Sequence, residues 1–216
     1  MSSPKSRREL YSEATRAALL ETATRMFAEN GFTATSLDDI ATATQVTRGA
    51  VYHHFANKTA LFVAVAAVLE QAVLDRAMAA ALAAGDVWAG AMAALDAFLD
   101  SCCDPVYGRL CWIEAPIALG YAQWMQMEAD HTLGVVEKFV VALVDAGEIA
   151  PTPVDPAAQM IFHVLGGAGR TIAGAPEDTR AAVRQQCGAV VKAMVGGLRI
   201  SPTADPRDQL RRTSTG

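Results

Sequence analysis

One stretch, TSLDDIATATQVTRGAVYHHFANKTALF, contains three residues that favour helix starts at intervals of about ten positions: Ser36, Thr47 and Asn57. Ser36 is followed three residues later by Asp39, which completes a capping box of the acidic kind. Helices confined between such starts have room for about two turns each. The stretch therefore predicts two short helices in succession, the second over residues 48–55, and a third helix that begins after Asn57.

Helical spacing continues on both sides of this stretch. Apolar residues from Leu19 to Phe27 recur at helical intervals and Asn30-Gly31 is a typical helix stop, so a helix is predicted over residues 12–29. Downstream, the pattern predicts a long helix from Lys58 and then further helices over residues 86–102, 105–120, 122–147, 155–173 and 177–197.

The composition agrees with an all-helical protein. Apolar residues make up 52% of the 216 residues, and no segment shows the sustained alternation of a β-strand. The longest uncharged apolar run, Ala60 to Leu69, is about half of the roughly 20 residues that a membrane span needs, and no apolar signal core follows the N-terminal charges. We therefore predict a cytoplasmic protein. Its predicted regions are a flexible basic arm (1–9), a head (10–57), a helical body (58–200) and a disordered tail (201–216).

Charge is distributed unevenly along the chain. Residues 1–60 contain seven Lys and Arg against six Asp and Glu, and the rest contain eleven against seventeen, so net charges of +1 and −6 make up the −5 of the whole chain. An acidic body does not suit non-specific binding of nucleic acid over the whole surface. Any contact with phosphate groups must therefore be confined to one small face.

The helix predicted over residues 48–55 has two distinct faces when it is drawn at about 100° per residue. Its inner half contains Val51 and Phe55, with His54 beside them as a packing residue. The outer half carries hydrogen-bonding side chains around a glycine: Arg48, Gly49, Tyr52 and His53. Because glycine costs about 1 kcal/mol of helix propensity relative to alanine, Gly49 indicates that another backbone approaches closely.

Two short helices joined by a tight turn, the second with such a face, fit the major groove of DNA. The N-terminal residues of a helix in the groove reach base edges, while hydroxyls, lysines and helix N-termini hold phosphates. Ser36, Thr47 and Lys58 stand at helix starts and can face the same DNA backbone. The sequence therefore predicts a helix-turn-helix head that binds double-stranded DNA.

The same stretch, with LLETATRMFAENGFTATS before it, resembles the helix-turn-helix signature of the TetR family of one-component transcriptional regulators over roughly residues 12–65. In the body, CWIEAPIALGYAQWMQME resembles a segment that is frequent in the family's ligand-binding domains. The resemblance implies an all-α fold, with an N-terminal three-helix, homeodomain-like helix-turn-helix domain and a C-terminal helical domain for ligand binding and dimerisation. It also implies a homodimeric repressor that binds a palindromic operator and is released by a ligand.

By this resemblance, the residues that contact phosphates are Ser36, Thr47, Tyr52, His53 and Lys58. Base edges would be met by Arg48 and Gly49, with variable help from His53. The chain departs from the family in the turn between the two short helices, where glycine is common and Gln45 stands instead. A non-glycine residue in a left-handed conformation costs on the order of 1 kcal/mol, so we expect a strained turn there.

The body is expected to bind a small apolar or aromatic effector. Pockets for such ligands are lined by aromatic and sulfur-containing side chains with a few polar anchors, and the candidates are Trp88, Cys103, Tyr107, Trp112, Glu114, Gln123, Trp124, Met127, His131 and Phe162.

The resemblance implies a homodimer through the helices at 155–173 and 177–197. Their predicted apolar stripes are Ile161, Val164 and Leu165 on the first, and Val183, Val190, Val191 and Met194 on the second. Two heads on one dimer predict half-sites about one helical turn (~34 Å) or somewhat more apart.

Other functions find less support in the residues. His53 and His54 point about 100° apart on a helix and cannot chelate a metal together, so neither a metal nor a cofactor is predicted. No nucleophile or acid–base motif indicates an enzyme. The four cysteines have no metal-ligand spacing, which favours reduced, mostly buried thiols over a redox-sensing pair at Cys102-Cys103. The alternative is a helical module whose head docks on protein rather than DNA.

Overall fold

The computed structural model describes residues 6–200, so the predicted tail and the first five residues of the predicted arm lie outside the described residues. The helices are α1 (Arg7–Ala34), α2 (Leu37–Thr44), α3 (Arg48–His54), α4 (Lys58–Leu82), α5 (Val87–Ser101), α6 (Pro105–Tyr107), α7 (Ala115–Leu119), α8 (Tyr121–Asp145), α9 (Val154–Ala173) and α10 (Glu177–Gly196). A π-helical segment, Gly108–Glu114, lies between α6 and α7. The all-α fold is confirmed, and over residues 6–200 the β-structure amounts to one isolated bridge between Ile149 and Arg199.

Side-chain caps explain the helix starts in the head. The hydroxyl of Ser36 accepts a hydrogen bond from the N–H of Asp39, whose carboxylate accepts one from the N–H of Ser36, both at 3.1 Å. The side chains of Thr47 and Asn57 accept from the N–H three residues further on, at 3.2 and 2.8 Å. All three predicted helix starts are confirmed.

Helix α1 is longer than predicted. It begins at Arg7 rather than residue 12, because Ser6 and Glu9 form a capping box with hydrogen bonds of 2.7 and 3.3 Å. Residues 6–9, predicted as part of a flexible arm, are therefore the cap and first turn of a helix. At the other end Gly31 adopts a φ of 81° and kinks the helix at the predicted stop, after which one further turn continues to Ala34.

The head has a densely packed core between α1, α2, α3 and the first turns of α4. Its apolar side chains are fully buried: Leu19, Ala23, Phe27, Ile40, Val51, Leu61 and Phe62. The ring of Phe62 meets those of Phe27 and Phe32 edge-on, with centroids 5.3 Å apart in both pairs. These contacts fix the end of α1 against α4 and leave the opposite side of α3 exposed to solvent.

Helix α4 runs from the head into the body, where it packs along α5, and α9 packs between α8 and α10. Asp96 on α5 accepts hydrogen bonds from Arg184 at 3.0 Å and Lys192 at 2.7 Å, which fasten α10 to α5. Within the described residues no helix is both long and apolar enough to cross a membrane.

The helix predicted over residues 105–120 is present but has a different internal geometry. Its middle is the π-helical segment, which ends where the N–H of Ala115 donates to the carbonyl of Leu110, five residues back. Pro116 follows directly and has no N–H to donate to the carbonyl four residues before it. The wide turns of the π-helical segment therefore lie next to a point where regular α-helical hydrogen bonding is interrupted.

Candidate DNA-binding surface and internal cavity

The outward face of α3 has the composition that its helical wheel predicts. Arg48, Gly49, Tyr52 and His53 are exposed, whereas Val51 and Phe55 are buried. His54 is half-buried, as predicted, and burial, together with the nearby His53 and Arg16, lowers its pKa. Ser36 and Thr47, at the N-termini of α2 and α3, are also exposed. The helix-turn-helix therefore presents one continuous polar surface, which we call the α3 face.

Arg48 is already oriented by its neighbours. Its guanidinium lies 3.1 Å from the carboxylate of Asp38 on α2 and 3.4 Å from the hydroxyl of Tyr52, one turn along α3. The hydrogen bond to Tyr52 and the charge of Asp38 both raise the pKa of Arg48. Because the Arg48–Asp38 pair is exposed, it contributes little to stability, and its effect is to hold the guanidinium over the α3 face.

The fold itself does not require glycine at position 49. A Cβ there would meet only the hydroxyl of Thr47, at an ordinary 3.9 Å, and the backbone of Gly49 is helical. The absence of a side chain at Gly49 therefore leaves space on the exposed side of α3, and no internal packing contact requires it.

The turn between α2 and α3 contains the expected strain. Gln45 has φ 59° and ψ 37°, and within residues 6–200 it is the only residue other than glycine with a positive φ. Its N–H bonds to the carbonyl of Thr42 at 3.1 Å, and the N–H of Val46 bonds to that of Ala41 at 3.0 Å, so the turn keeps its hydrogen bonds despite the conformational cost.

Lys58 is engaged within the protein. Its ammonium group donates to the backbone carbonyls of Phe32, Thr33 and Thr35, at 2.8, 3.4 and 2.9 Å, and lies 4.3 Å from the centroid of the Phe32 ring. These carbonyls belong to the end of α1, where a positive charge is favoured. All three N–H donors of Lys58 therefore have partners here, and this geometry gives no support to the phosphate contact predicted for it.

Glu114, predicted as an effector anchor, lies at the junction of head and body. One of its carboxylate oxygens accepts a hydrogen bond from the N–H of Phe32 at 2.9 Å, and the other lies 3.5 Å from Arg109. A Cβ on Gly31 would come within 3.0 Å of the same carboxylate, so the kink in α1 makes room for it. The peptide units at Phe32 are thus bonded to Glu114 through the N–H and to Lys58 through the carbonyl.

The body contains a cavity with two chambers. The first, of about 110 Å³, has a wall that is apolar apart from Thr132 and is formed by α4, α5, α8, α9 and α10. The second, of about 80 Å³, is bounded largely by aromatic rings: Phe98, Trp112, Tyr121, Trp124 and Phe162. Phe98, Thr132 and Leu165 line both chambers, which makes them neighbours across a shared wall.

Only three of the predicted effector residues, Trp112, Trp124 and Phe162, line this cavity. Gln123 is exposed on α8, and Trp88 packs under the guanidinium of Arg199, so neither borders a chamber. The others border neither chamber because their helices direct them elsewhere in the core or toward the head: Cys103, Tyr107, Glu114, Met127 and His131.

Two buried carboxyl groups were not singled out from the sequence, namely Glu70 on α4 and Glu128 on α8. They are 2% and 3% exposed, and Glu128 lines the aromatic chamber. The signal that could have found them is a carboxylate within an apolar helix stripe, since Glu70 follows Leu69 and Glu128 follows Met127.

Two family models match the chain. One, for the C-terminal domain of tetracyclin repressor-like proteins, matches residues 88–198, and one for bacterial regulatory proteins of the tetR family matches residues 19–65. The chain belongs to the TetR family. The match to the second model covers α2, α3 and the turn between them, so the α3 face belongs to a TetR-family helix-turn-helix.

Individual relatives agree with this assignment. A TetR-family transcriptional regulator from Pectobacterium atrosepticum is 30% identical with a TM-score of 0.79, and the alignment covers 92% of this chain and 100% of that one. The probable acrEF/envCD operon repressor of Escherichia coli K12 is 58% identical over 48 residues, which are 22% of each chain. The repressor KstR2 of Mycobacterium tuberculosis H37Rv is 51% identical over 43 residues, 20% of this chain and 22% of that one.

The chain thus spans about a fifth of the length of the curated relatives that it matches. The solved KstR2 structure is 22% identical over 86% of this chain and 95% of that one, and its TM-score of 0.57 supports the shared fold. These relatives are transcriptional regulators.

The predicted dimerisation stripes divide between two faces. Leu165 lines both chambers, because α9 covers the cavity with that side, whereas Ile161 and Val191 line the apolar chamber and also border grooves on the outward side. Val183 is half-buried and also packs against the core. The outward side carries exposed or half-buried apolar residues along two shallow grooves: Met160, Val164, Val190 and Met194. Met160, 71% exposed, was missing from the prediction.

The cysteines of this TetR-family protein are free thiols. Burial raises the pKa of Cys102 and Cys111 well above the ordinary value, and it also raises that of Cys103. A thiol with a raised pKa forms little reactive thiolate at neutral pH. This agrees with the interpretation of the cysteines as reduced packing residues, although Cys103 and Cys187 are only half-buried.

Proposed function

We propose that this TetR-family regulator is a homodimeric repressor that binds a palindromic operator and is released by a small effector. The observation that carries the proposal is the α3 face, where donors surround a glycine that the fold does not need. A helix inserted in the major groove uses such a face to reach base edges. Arg48 and Gly49 would meet bases, and His53 would assist them.

Phosphate contacts would surround this base-reading region. Ser36 and Thr47 are exposed at the N-termini of α2 and α3, where backbone N–H groups also favour anions. Tyr52 and His53 are exposed hydrogen-bonding side chains in the second half of α3. We assign Lys58 a positioning role, because its three bonds to carbonyls at the end of α1 hold that helix relative to α4.

Dimerisation would use the outward side of α9 and α10. Met160, Val190 and Met194 are 71%, 59% and 56% exposed, an unusual density of apolar surface on two adjacent helices. Pairing these helices with those of a second copy would bury them and place two heads on one side of the dimer. The two-fold symmetry would then require a palindromic operator with half-sites about one helical turn (~34 Å) or somewhat more apart.

The release mechanism would pass through the π-helical segment. Trp112 lines the aromatic chamber, and two residues later Glu114 accepts the N–H of Phe32 in the head. An effector that prefers a different position of Trp112 would shift this short segment and, through Glu114, the kink at the end of α1. The population of dimers with heads at groove spacing would fall, and DNA affinity with it.

A gel-shift assay with the DNA that flanks the chain's own coding region tests DNA binding. The Arg48→Ala variant should weaken binding by about 1–3 kcal/mol and relax the preference at one position of each half-site. Lys138→Ala removes the same charge from an exposed position on α8 and serves as the matched control. A head that docks on protein would instead give no shifted band with any fragment, or equal bands for wild type and Arg48→Ala.

A further inference from the structure

Two neighbouring buried carboxyl groups, one of which lines the aromatic chamber, are not fully hydrogen-bonded. Glu128 on α8 has one carboxylate oxygen without a partner, and so has Glu70 on α4. The other oxygen of Glu70 accepts the hydroxyl of Tyr107 at 3.2 Å. A buried polar atom without a partner costs stability, and the unpartnered atom of Glu128 belongs to a residue that lines a cavity where a ligand could supply the partner.

Glu128 shares the aromatic chamber with two basic side chains, Arg170 and His163. Burial and the neighbouring Glu70 raise the pKa of Glu128 to about 9, and burial likewise raises that of Glu70. Arg170, an exposed residue that lines the chamber, is held 5.4 Å from the Trp124 ring centroid, and within residues 6–200 no ion pair joins it to Glu128. His131 weakly offsets the charge of Glu70 and bonds to the carbonyl of Met127.

The aromatic rings that line the chamber also suit a cation. The rings of Trp112 and Trp124 meet edge-on with centroids 6.0 Å apart, and Trp124 and Tyr121 do so at 5.7 Å. The indole N–H of Trp124 donates to the carbonyl of Cys111 at 3.0 Å and also interacts with the carboxyl group of Glu128, where it opposes the rise in pKa. Aromatic faces attract ammonium groups, most strongly where water is excluded.

We propose that the effector is an organic cation with an apolar body, whose ammonium group lies beside Glu128 among the aromatic rings and whose hydrocarbon part extends toward the apolar chamber. The inference deepens the proposed function and rests on it, because it names the chemical class of the releasing ligand. An incoming cation would supply the missing partner of Glu128, and the shared wall of Phe98, Thr132 and Leu165 would lie between its two ends.

The test compares benzyltrimethylammonium with neopentylbenzene, which has the same shape with carbon in place of the charged nitrogen. Phenylacetate is the anionic counterpart. Binding to the full-length protein is followed by tryptophan fluorescence, since Trp112 and Trp124 line the chamber. The cation should bind about ten-fold more tightly than either other compound. A preference for phenylacetate would assign recognition to Arg170, and equal affinities would mean an apolar site only; either result overturns the proposal.

Glu128→Gln and Glu137→Gln form a matched pair of variants. Both remove one carboxylate from α8, but Glu137 does not line either chamber. The first should lose about ten-fold in affinity for the cation while the affinity for neopentylbenzene stays unchanged, and the second should bind both compounds as wild type does. If Glu128→Gln keeps the full affinity for the cation, the assignment is wrong.

A gel-shift titration with the cation separates the two proposals. Cation binding through Glu128 combined with loss of the shifted band supports both. Cation binding without any shifted band overturns the proposed DNA-binding function and leaves the cation site standing. A band that is retained at saturating cation, when fluorescence shows the site filled, overturns the claim that this class of ligand is the releasing effector.

Discussion

The head and the body of this protein are stabilised in different ways. In the head, Leu19, Phe27, Ile40 and Val51 are fully buried in the core, and polar groups face outward from α3. In the body, five helices and the π-helical segment line two chambers, and the carboxyl groups of Glu70 and Glu128 are buried. A close-packed head keeps a fixed reading surface, whereas voids and unpaired acids in the body cost stability that a ligand can restore.

The largest expected effect is the difference in lost stability between two Leu→Ala substitutions, one in the head and one in the body. Leu61→Ala removes a side chain that is enclosed on all sides in the head core, and should lower the free energy of unfolding by about 3–4 kcal/mol. Leu165→Ala removes a half-buried side chain that borders empty space in both chambers, so it loses fewer contacts and should cost only about 1–2 kcal/mol. Urea unfolding at one fixed protein concentration measures both. Equal losses would show that the cavity wall is packed as tightly as the head.

The buried Glu128 should make stability depend on pH. Its pKa is about 9 in the folded protein and near the ordinary 4.5 in the unfolded chain, so between these values the folded state binds more protons. Stability should therefore fall as pH rises through this window, by at most about 1.4 kcal/mol per pH unit. Glu128→Gln removes this contribution and should stabilise the protein more at pH 8 than at pH 5. The same gain at both pH values would contradict a protonated Glu128.

The strained turn predicts a smaller effect. Gln45→Gly removes the cost of the left-handed conformation, partly offset by the greater freedom of glycine in the unfolded chain, and should raise the free energy of unfolding by about 0.5–1 kcal/mol. Gln123→Gly, at an exposed position in the first turn of α8, should instead destabilise the protein by about the same amount. Thermal unfolding of both variants measures the contrast, and a loss of stability in Gln45→Gly would mean that the Gln45 side chain is needed.

The contrast between the regions also explains which features the sequence could predict. Caps such as Ser36 and Thr47, the helix stop at Gly31 and the two faces of α3 are set by residues within four positions of one another, so helical periodicity is sufficient to locate them. The chamber walls join residues from five helices, and periodicity identifies an apolar stripe without telling whether it faces a core, a cavity or a partner. The apolar stripe of α9 was predicted at a dimer interface for that reason, and its members divide between the two sides: Leu165 lines the chambers, and Ile161 lines the apolar chamber and an outward groove.

Long-range polar contacts were beyond prediction for the same reason. Glu114 bonds to the N–H of Phe32, 82 positions away, and Lys58 bonds to carbonyls at the end of α1 more than 20 positions away. Their partners are backbone groups, which leave no signature in the side-chain sequence. The π-helical segment that positions Glu114 was not predicted either, because Pro116 is the only residue in the sequence that indicates an interruption of regular helical bonding there.

The most direct test of the α3 face is DNA binding by Gly49→Leu, with Gly134→Leu as its control. Both glycines are exposed on helices, with no close neighbour that a Cβ would disturb, so both variants should fold with equal or higher stability. Fluorescence anisotropy with the fragment that wild type binds should show affinity reduced roughly ten-fold or more for Gly49→Leu and unchanged for Gly134→Leu, because only the first side chain enters the groove. Unchanged affinity in Gly49→Leu would contradict a DNA-reading role for this face.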